Sequence, residues 1–169
     1  IKITAVNDAP IASGTASLAA IDEDNTDAAT GSTVSALFTS NFSDSKDAVT
    51  NGSSANTSAG VAITANAATD VQGKWQWQAN GSSTWTDIVT SGLADTTALY
   101  LAANTTLRFL PALNYNGSPG DMTARLMESG TSSLTNGSTT DVSANGGATA
   151  YSSSTVSLGM RLDLLLQIG

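Results

Sequence analysis

The chain has 169 residues, with 14 acidic against six basic side chains, a net charge of −8, and neither cysteine nor histidine. The missing cysteines exclude disulfides, zinc–thiolate sites and cysteine nucleophiles, and the missing histidines exclude a Ser-His-Asp triad and most transition-metal sites. The negative charge makes nucleic acid and anionic membranes poor partners, and a divalent cation a better one. No apolar run reaches the roughly 18 residues of a membrane span.

The chain begins with IKITAVNDAP, in which apolar and polar residues alternate as in a half-buried strand until Pro10 ends the pattern. We interpret residues 1–10 as a joint, a strand from or toward a neighbouring unit. Residues 11–158 are then one domain. Residues 159–169, GMRLDLLLQIG, are far more apolar than the rest and could form a final strand, an interface strand or a tail that contacts a neighbour.

Short strand-like runs fill the rest of the chain, and five Asn-Gly pairs mark turns between them. The only plausible helical turn is VSALFTSNF, residues 34–42. Residues 43–59 and 129–147 read as polar surface loops, although TSSLT within the second could be a short edge strand. This pattern predicts an all-β protein, an antiparallel β-sandwich with one short helical turn. The predicted strands are 15–21, 60–65, 73–79, 84–89, 98–101, 106–110, 122–127 and 149–158.

Acidic residues concentrate in the stretches IDEDNTD and FSDSKD. Hard cations such as Ca²⁺ take six to eight oxygen ligands from carboxylates, amides and carbonyls, which these stretches could supply. Their spacing does not match an EF-hand loop. The alternative interpretation is a solvated acidic surface that keeps the protein soluble, and both remain open. The candidate metal ligands are Asp8 in the joint, then Asp22, Glu23, Asp24, Asp27, Asp44 and Asp47.

All three tryptophans, Trp75, Trp77 and Trp85, fall in the predicted hairpin GKWQWQANGSSTWTDI. They could form an aromatic platform that stacks on sugar rings. They could equally supply cross-strand packing in a chain with few aromatic residues. In the packing interpretation, Gln76 and Gln78 face solvent.

Catalytic patterns are weak. Serines and threonines are numerous but have no histidine beside them, and a glycoside hydrolase would need two close carboxylates in a cleft. We therefore expect no enzymatic activity.

Seven stretches together resemble a known family: AVNDAP, IDEDNTD, LFTSNFSD, GVAIT, GKWQWQANGSSTWTDI, LRFLPALNYNG and ARLMESG. In this order, over residues 3–158, they resemble the tandem repeats of giant bacterial surface proteins, the RTX-type adhesins and related cadherin-like or Ig-like repeat proteins. The resemblance implies an Ig-like/cadherin-like sandwich, secretion to the bacterial cell surface, and neighbouring copies as partners. It also implies calcium at the repeat junctions, with Asn7, Asp8, Glu23, Asp24 and Asp44 as ligands.

Two features depart from that family. Glu128 stands where such repeats often carry Asp, and no second AVNDAP closes the chain. The expected function is an extracellular structural repeat of a bacterial surface adhesin or filament, acting as a calcium-stiffened spacer or assembly subunit. The alternative is a carbohydrate-binding module that uses the tryptophan hairpin to bind surface glycans.

Overall fold

A computed structural model describes residues 6–25, 31–50, 53–130 and 133–164. Strands dominate these residues, with one α-helix, α1 (Val34–Phe38), and two 3₁₀ turns, Thr39–Asn41 and Asp95–Thr97. The strands are β1 (Ile11–Ala12), β2 (Thr15–Ser17), β3 (Ile21–Asp22), β4 (Ser32–Thr33), β5 (Phe42–Ser43), β6 (Ser58–Asn66), β7 (Gly73–Gln78), β8 (Thr86–Asp87), β9 (Ala98–Ala102), β10 (Thr106–Pro111), β11 (Met122–Glu128), β12 (Thr139–Thr140), β13 (Tyr151–Gly159) and β14 (Leu162–Asp163).

The strands form a six-stranded sheet in the order β12-β9-β6-β11-β13-β2 and a four-stranded sheet in the order β4-β10-β7-β8. Two small pairs, β1-β5 and β14-β3, accompany them. The prediction of an all-β protein with one short helix is confirmed. The prediction of purely antiparallel pairing is wrong, because β2 pairs parallel to β13 and β3 pairs parallel to β14. Strands β2 and β3, near the start of the chain, run in the same direction as β13 and β14, near its end.

Both sheets contribute to one hydrophobic core. Strand β10 alternates half-buried and buried residues, which directs Leu107 and Phe109 inward, as expected for a strand with one covered face. Trp75 from β7 packs edge-to-face on Phe109, with ring centroids 5.2 Å apart. Residues of the six-stranded sheet, among them Ile63 and Leu126, complete the same cluster.

The predicted helical turn is confirmed. The Thr33 hydroxyl accepts a hydrogen bond from the Ala36 amide at 3.1 Å and thereby caps α1. Val34 and Phe38 are buried on the inner face of α1, and the 3₁₀ turn Thr39–Asn41 continues it. No helix among the described residues has the length and apolar character to cross a membrane.

Several predicted strands have different bounds. The run 15–21 is divided between β2 and β3, because its two halves pair with different strands, β13 and β14. Of the run 84–89, only β8 is paired. The edge strand in the second polar loop is β12 at Thr139–Thr140, and the described part of TSSLT, residues 133–135, is not a strand.

The described part of the C-terminal segment is a closing strand. Leu162 is 2% exposed and belongs to the core, and its backbone exchanges hydrogen bonds with Gly117. Residues 1–5, 165–169 and Asp27 lie outside the described residues, so the predicted joint strand is described only from Val6 onward.

Strand β11 runs between two opposite ends of the domain. Each of its seven residues extends the strand by about 3.4 Å, so these ends lie about 20 Å apart. We call them the Glu128 end and the Asp22 end. Residues 6–10 lie at the Glu128 end, since the Ala9 amide bonds to Gly147 and Asn7 to Glu128. Strand β14 lies at the Asp22 end, beside β3 and Gly117. Residues 6–10 and strand β14 therefore lie at opposite ends of the domain.

Candidate metal centre

Three buried carboxyl groups meet at the Glu128 end. Asp44, Asp47 and Glu128 each place one carboxylate oxygen within 4.8 Å of the other two. The three residues are 4%, 5% and 1% exposed, respectively. We call them the acidic triad. The prediction that residues 43–59 form a surface loop is therefore wrong for these two aspartates.

Local structure explains how the triad assembles. Asp44 and Asp47 lie in a turn directly after β5, in which the Asp47 amide donates to the Asp44 carbonyl at 3.3 Å. Pairing of β5 with β1 holds this turn beside the entering chain. Glu128 is the last residue of β11, and its amide bonds to the Ala150 carbonyl next to β13. Three distant parts of the sequence thus converge at one sheet end.

The entering segment is bound directly to the triad. The Asn7 side-chain amide donates to Glu128 Oε1, and the Asp8 backbone amide donates to Asp47 Oδ1 at 2.9 Å. Asn56 completes the network, because its backbone amide donates to Asp44 Oδ2 and its side chain donates to Asn7 Oδ1 at 3.2 Å. The carboxylates therefore fasten residues 7–8 to the body of the domain.

Burial and neighbouring charges both disfavour ionisation of Glu128 in the triad. Burial raises the pKa of Glu128 above its usual value, and the charges of Asp44 and Asp47 raise it further, while the bond from Asn7 opposes the rise. No ion pair between described residues involves Asp44 or Asp47. Asp44 Oδ1 is buried without a hydrogen-bond partner among the described residues. Such an oxygen is costly to bury unless it binds something.

The donor set fits a hard cation. All three triad groups offer carboxylate oxygens, and Asn7 brings an amide oxygen to the same network, where it accepts from the Asn56 side chain. Oxygen ligands at flexible geometry are what Ca²⁺ prefers, whereas Mg²⁺ needs near-ideal octahedral geometry and usually keeps several waters. The residues present could therefore hold a hard cation such as calcium.

The structure divides the predicted ligands between the two ends. Asn7, Asp8, Asp44 and Asp47 come together at the Glu128 end. Asp22, Glu23 and Asp24 lie at the Asp22 end, where Asp22 pairs with Asp163 and the other two bond to the turn at residues 113–117. There Asp24 Oδ1 accepts from the Asn114 amide at 2.6 Å, and Glu23 Oε2 accepts from the Asn116 side chain at 3.2 Å.

Glu128 is the triad residue that pattern reasoning left out of the predicted ligand set. The sequence feature that could have identified Glu128 was the family resemblance, because Glu128 stands where such repeats often carry an aspartate. The structure places it among the candidate ligands, 121 residues along the chain from Asn7, to which it is bonded.

The three tryptophans occupy three different environments. Trp75 is fully buried and donates to the Gly120 carbonyl at 2.9 Å, so it offers no surface to a ligand. The Arg108 guanidinium lies 3.9 Å from the centre of the Trp85 ring. Trp77 is half-buried and lines a cavity. The prediction that Gln76 faces solvent is wrong: Gln76 is 7% exposed, because it accepts from Arg108 and donates to Asp87.

Comparison with protein families, characterised proteins and solved structures found no match to this chain.

Proposed function

We propose that this chain is an extracellular structural repeat of a bacterial surface adhesin or filament, with an Ig-like fold that calcium stiffens at the acidic triad. The observation that carries the proposal is the buried triad with its unpartnered Asp44 oxygen, bonded to the entering segment. The family resemblance supports the cell-surface location and neighbouring copies as partners.

In the proposed mechanism, the cation fixes the joint between this domain and what precedes it. Calcium at the triad offsets the repulsion between three buried carboxylates. Asn7 and Asp8 are bonded to two of those carboxylates, so ordering the triad also orders the entering segment. Because the metal binds the folded arrangement, its binding free energy adds to folding stability.

The path of the chain supports a spacer or assembly subunit. Entry at the Glu128 end and exit at the Asp22 end let copies follow one another in line. Such a role uses the stiffness of the domain and needs no catalytic group. The apolar C-terminal strand β14 is then part of the domain, as its pairing with β3 indicates.

The first test is a thermal melt of the chain in EDTA and in millimolar Ca²⁺, with titration calorimetry alongside. A ligand at 100 times its Kd adds about 2.7 kcal/mol. For a domain of this size that corresponds to a rise of roughly 5–11 °C in Tm. Equal melts with and without calcium would contradict the proposal.

A matched pair of variants locates the effect. Asp47→Asn keeps the oxygen that accepts from Asp8 but removes one triad charge, and we expect it to abolish most of the calcium-induced shift. Asp70→Asn is the control, because Asp70 is exposed at the Asp22 end. The control should keep the full shift. If both variants lost the calcium-induced rise in Tm, or if neither did, the calcium would bind outside the acidic triad.

A further inference from the structure

A cavity of about 390 Å³ opens at one side of the domain, between the edge strands β8 and β12. Its apolar lining is Trp77, Val89, Leu93 and Leu99, and the hydroxyl-bearing residues Thr86, Thr97 and Thr139 line it as well. The volume falls within the roughly 300–1,000 Å³ of small-molecule sites. All of its lining residues are described, and none belongs to the acidic triad.

The indole of Trp77 packs closely against Gly137. A Cβ atom built on Gly137 would approach Trp77 Cη2 to 2.6 Å, and Gly137 also has a φ of +83°. Only glycine accepts both the contact and this backbone conformation without strain. A side chain at position 137 would therefore displace the Trp77 ring or strain the backbone.

The lining indicates an amphipathic and uncharged ligand. The lining combines an indole with threonine side chains, and this mixture suits a pyranose, which presents C–H groups on one face and hydroxyls at its edge. The Asp87 carboxylate borders the cavity, and no lysine or arginine lines it. Asp87 is paired with Lys74 at 2.9 Å, so it is the net charge of −8 of the whole chain that disfavours acidic sugars.

We propose that the Trp77 cavity binds a neutral hexopyranose unit of an oligosaccharide, with the indole stacked on the sugar ring and the threonine hydroxyls and Asp87 at its edge. This site differs from a platform of three tryptophans, because only Trp77 lines the cavity. It goes beyond the structural role and does not depend on it, because the cavity and the acidic triad share no residue.

The test is titration calorimetry with saturation-transfer NMR on the full chain, using cellohexaose, maltohexaose and chitohexaose at millimolar concentration. Oligogalacturonate serves as the acidic comparison. We expect at least one neutral oligosaccharide to bind, in EDTA as well as in calcium, and the acidic one not to bind.

The blocking variant is Thr86→Tyr, which places a ring across the mouth of the cavity from an exposed strand position. Its control is Thr84→Tyr, an exposed residue of the same hairpin outside the cavity. We expect binding to weaken at least tenfold in the first and less than twofold in the second. Because both positions are exposed, both variants should fold, and equal melting temperatures would verify this.

Three outcomes would overturn the proposal: no binding by any of the three neutral oligosaccharides, binding that Thr86→Tyr leaves unchanged, or preferential binding of the acidic oligosaccharide. Binding of an apolar dye that Thr86→Tyr abolishes, with no sugar bound, would also overturn it, because the cavity would then take an apolar ligand. A calcium-independent melt with sugar binding intact would refute the metal site alone.

Discussion

Each residue of the acidic triad is costly to the metal-free protein. Two unit charges about 5 Å apart repel by roughly 3 kcal/mol at an effective dielectric constant of about 20. Glu128, at 1% exposure, also loses almost all of its hydration. The Asn7 side chain and the backbone amides of Asp8 and Asn56 each donate to a single carboxylate oxygen and do not neutralise the charge.

Replacement of Glu128 with glutamine should therefore have opposite effects in two buffers. In EDTA at pH 8, Glu128→Gln removes one buried charge while keeping an acceptor for Asn7, so we expect its Tm to exceed that of the wild type by several degrees. In millimolar calcium, we expect the wild type to be more stable. Calorimetric melts of both proteins measure this. A variant less stable in both buffers would mean that the carboxylate is structural and not a metal ligand.

The sequence predicted part of this site. Asp44, Asp47, Asn7 and Asp8 could be selected because acidic clusters and the AVNDAP boundary are visible locally. Which acidic stretches would meet was not predictable, because the grouping depends on pairing between distant strands. The bond from Asn7 to Glu128 spans 121 positions. Asp22, Glu23 and Asp24 looked equally suitable and lie at the other end of the domain.

At the scale of elements, local patterns located the long strands and misjudged the short ones. Strands β6, β7, β10, β11 and β13 alternate or carry β-branched and aromatic residues, and their predicted bounds are close to the observed ones. Two-residue strands such as β1, β5, β12 and β14 have too few residues to show an alternation of polar and apolar side chains. They exist because a neighbouring strand supplies hydrogen bonds, which sequence alone does not reveal.

Strand β14 offers a matched test of its role in closing the core. Leu162 is 2% exposed and Leu164 is 60% exposed, two positions later. We expect Leu162→Ala to cost about 2–5 kcal/mol of unfolding free energy, as for other buried leucines. Leu164→Ala should stay within about 0.5 kcal/mol of the wild type. Urea denaturation of the two variants measures both values, and equal effects would mean that the strand does not close the core.

The ion pair between Asp95 and Arg125 joins a 3₁₀ turn to β11 and should govern acid stability. Arg125 donates from Nε and Nη2 to the two Asp95 oxygens, both at 2.8 Å. These bonds lower the pKa of Asp95 below its usual value of 3.8. Its stabilising contribution is thus fully present above about pH 3.8 and is lost as the pH falls through the lower folded-state pKa.

We expect Asp95→Asn to destabilise the protein at pH 7 by about 1–3 kcal/mol, less than for a fully buried pair because Asp95 is 37% exposed. The variant should also lose less stability than the wild type between pH 4 and pH 2. Denaturation across this pH range measures both effects. Lys74→Gln, which breaks the exposed pair with Asp87, is the control and should change stability little. If Asp95→Asn lost as much stability as the wild type between pH 4 and pH 2, acid unfolding would depend on other carboxylates.

At the scale of the whole molecule, calcium should act at one end only. We expect hydrogen exchange in residues 6–10, 44–50 and 53–57 to slow strongly when calcium is added to the EDTA-treated protein. Exchange in residues 21–24 and 113–117, at the Asp22 end, should change little, because no triad carboxylate contacts them. Mass-spectrometric exchange measures both regions in one experiment. Slowing at the Asp22 end alone would place the cation there.

The parallel pairing of β2 with β13 and of β3 with β14 has a mechanical consequence. Strand β2 lies parallel to β13, and β3 lies parallel to β14, so tension applied through the entering and leaving chain pulls the paired strands past each other along their length. In this shear geometry the hydrogen bonds of a pair bear the load together, whereas a hairpin pulled from its open end unzips one bond at a time. A tethered row of such domains would therefore transmit force along the chain before any single domain extended.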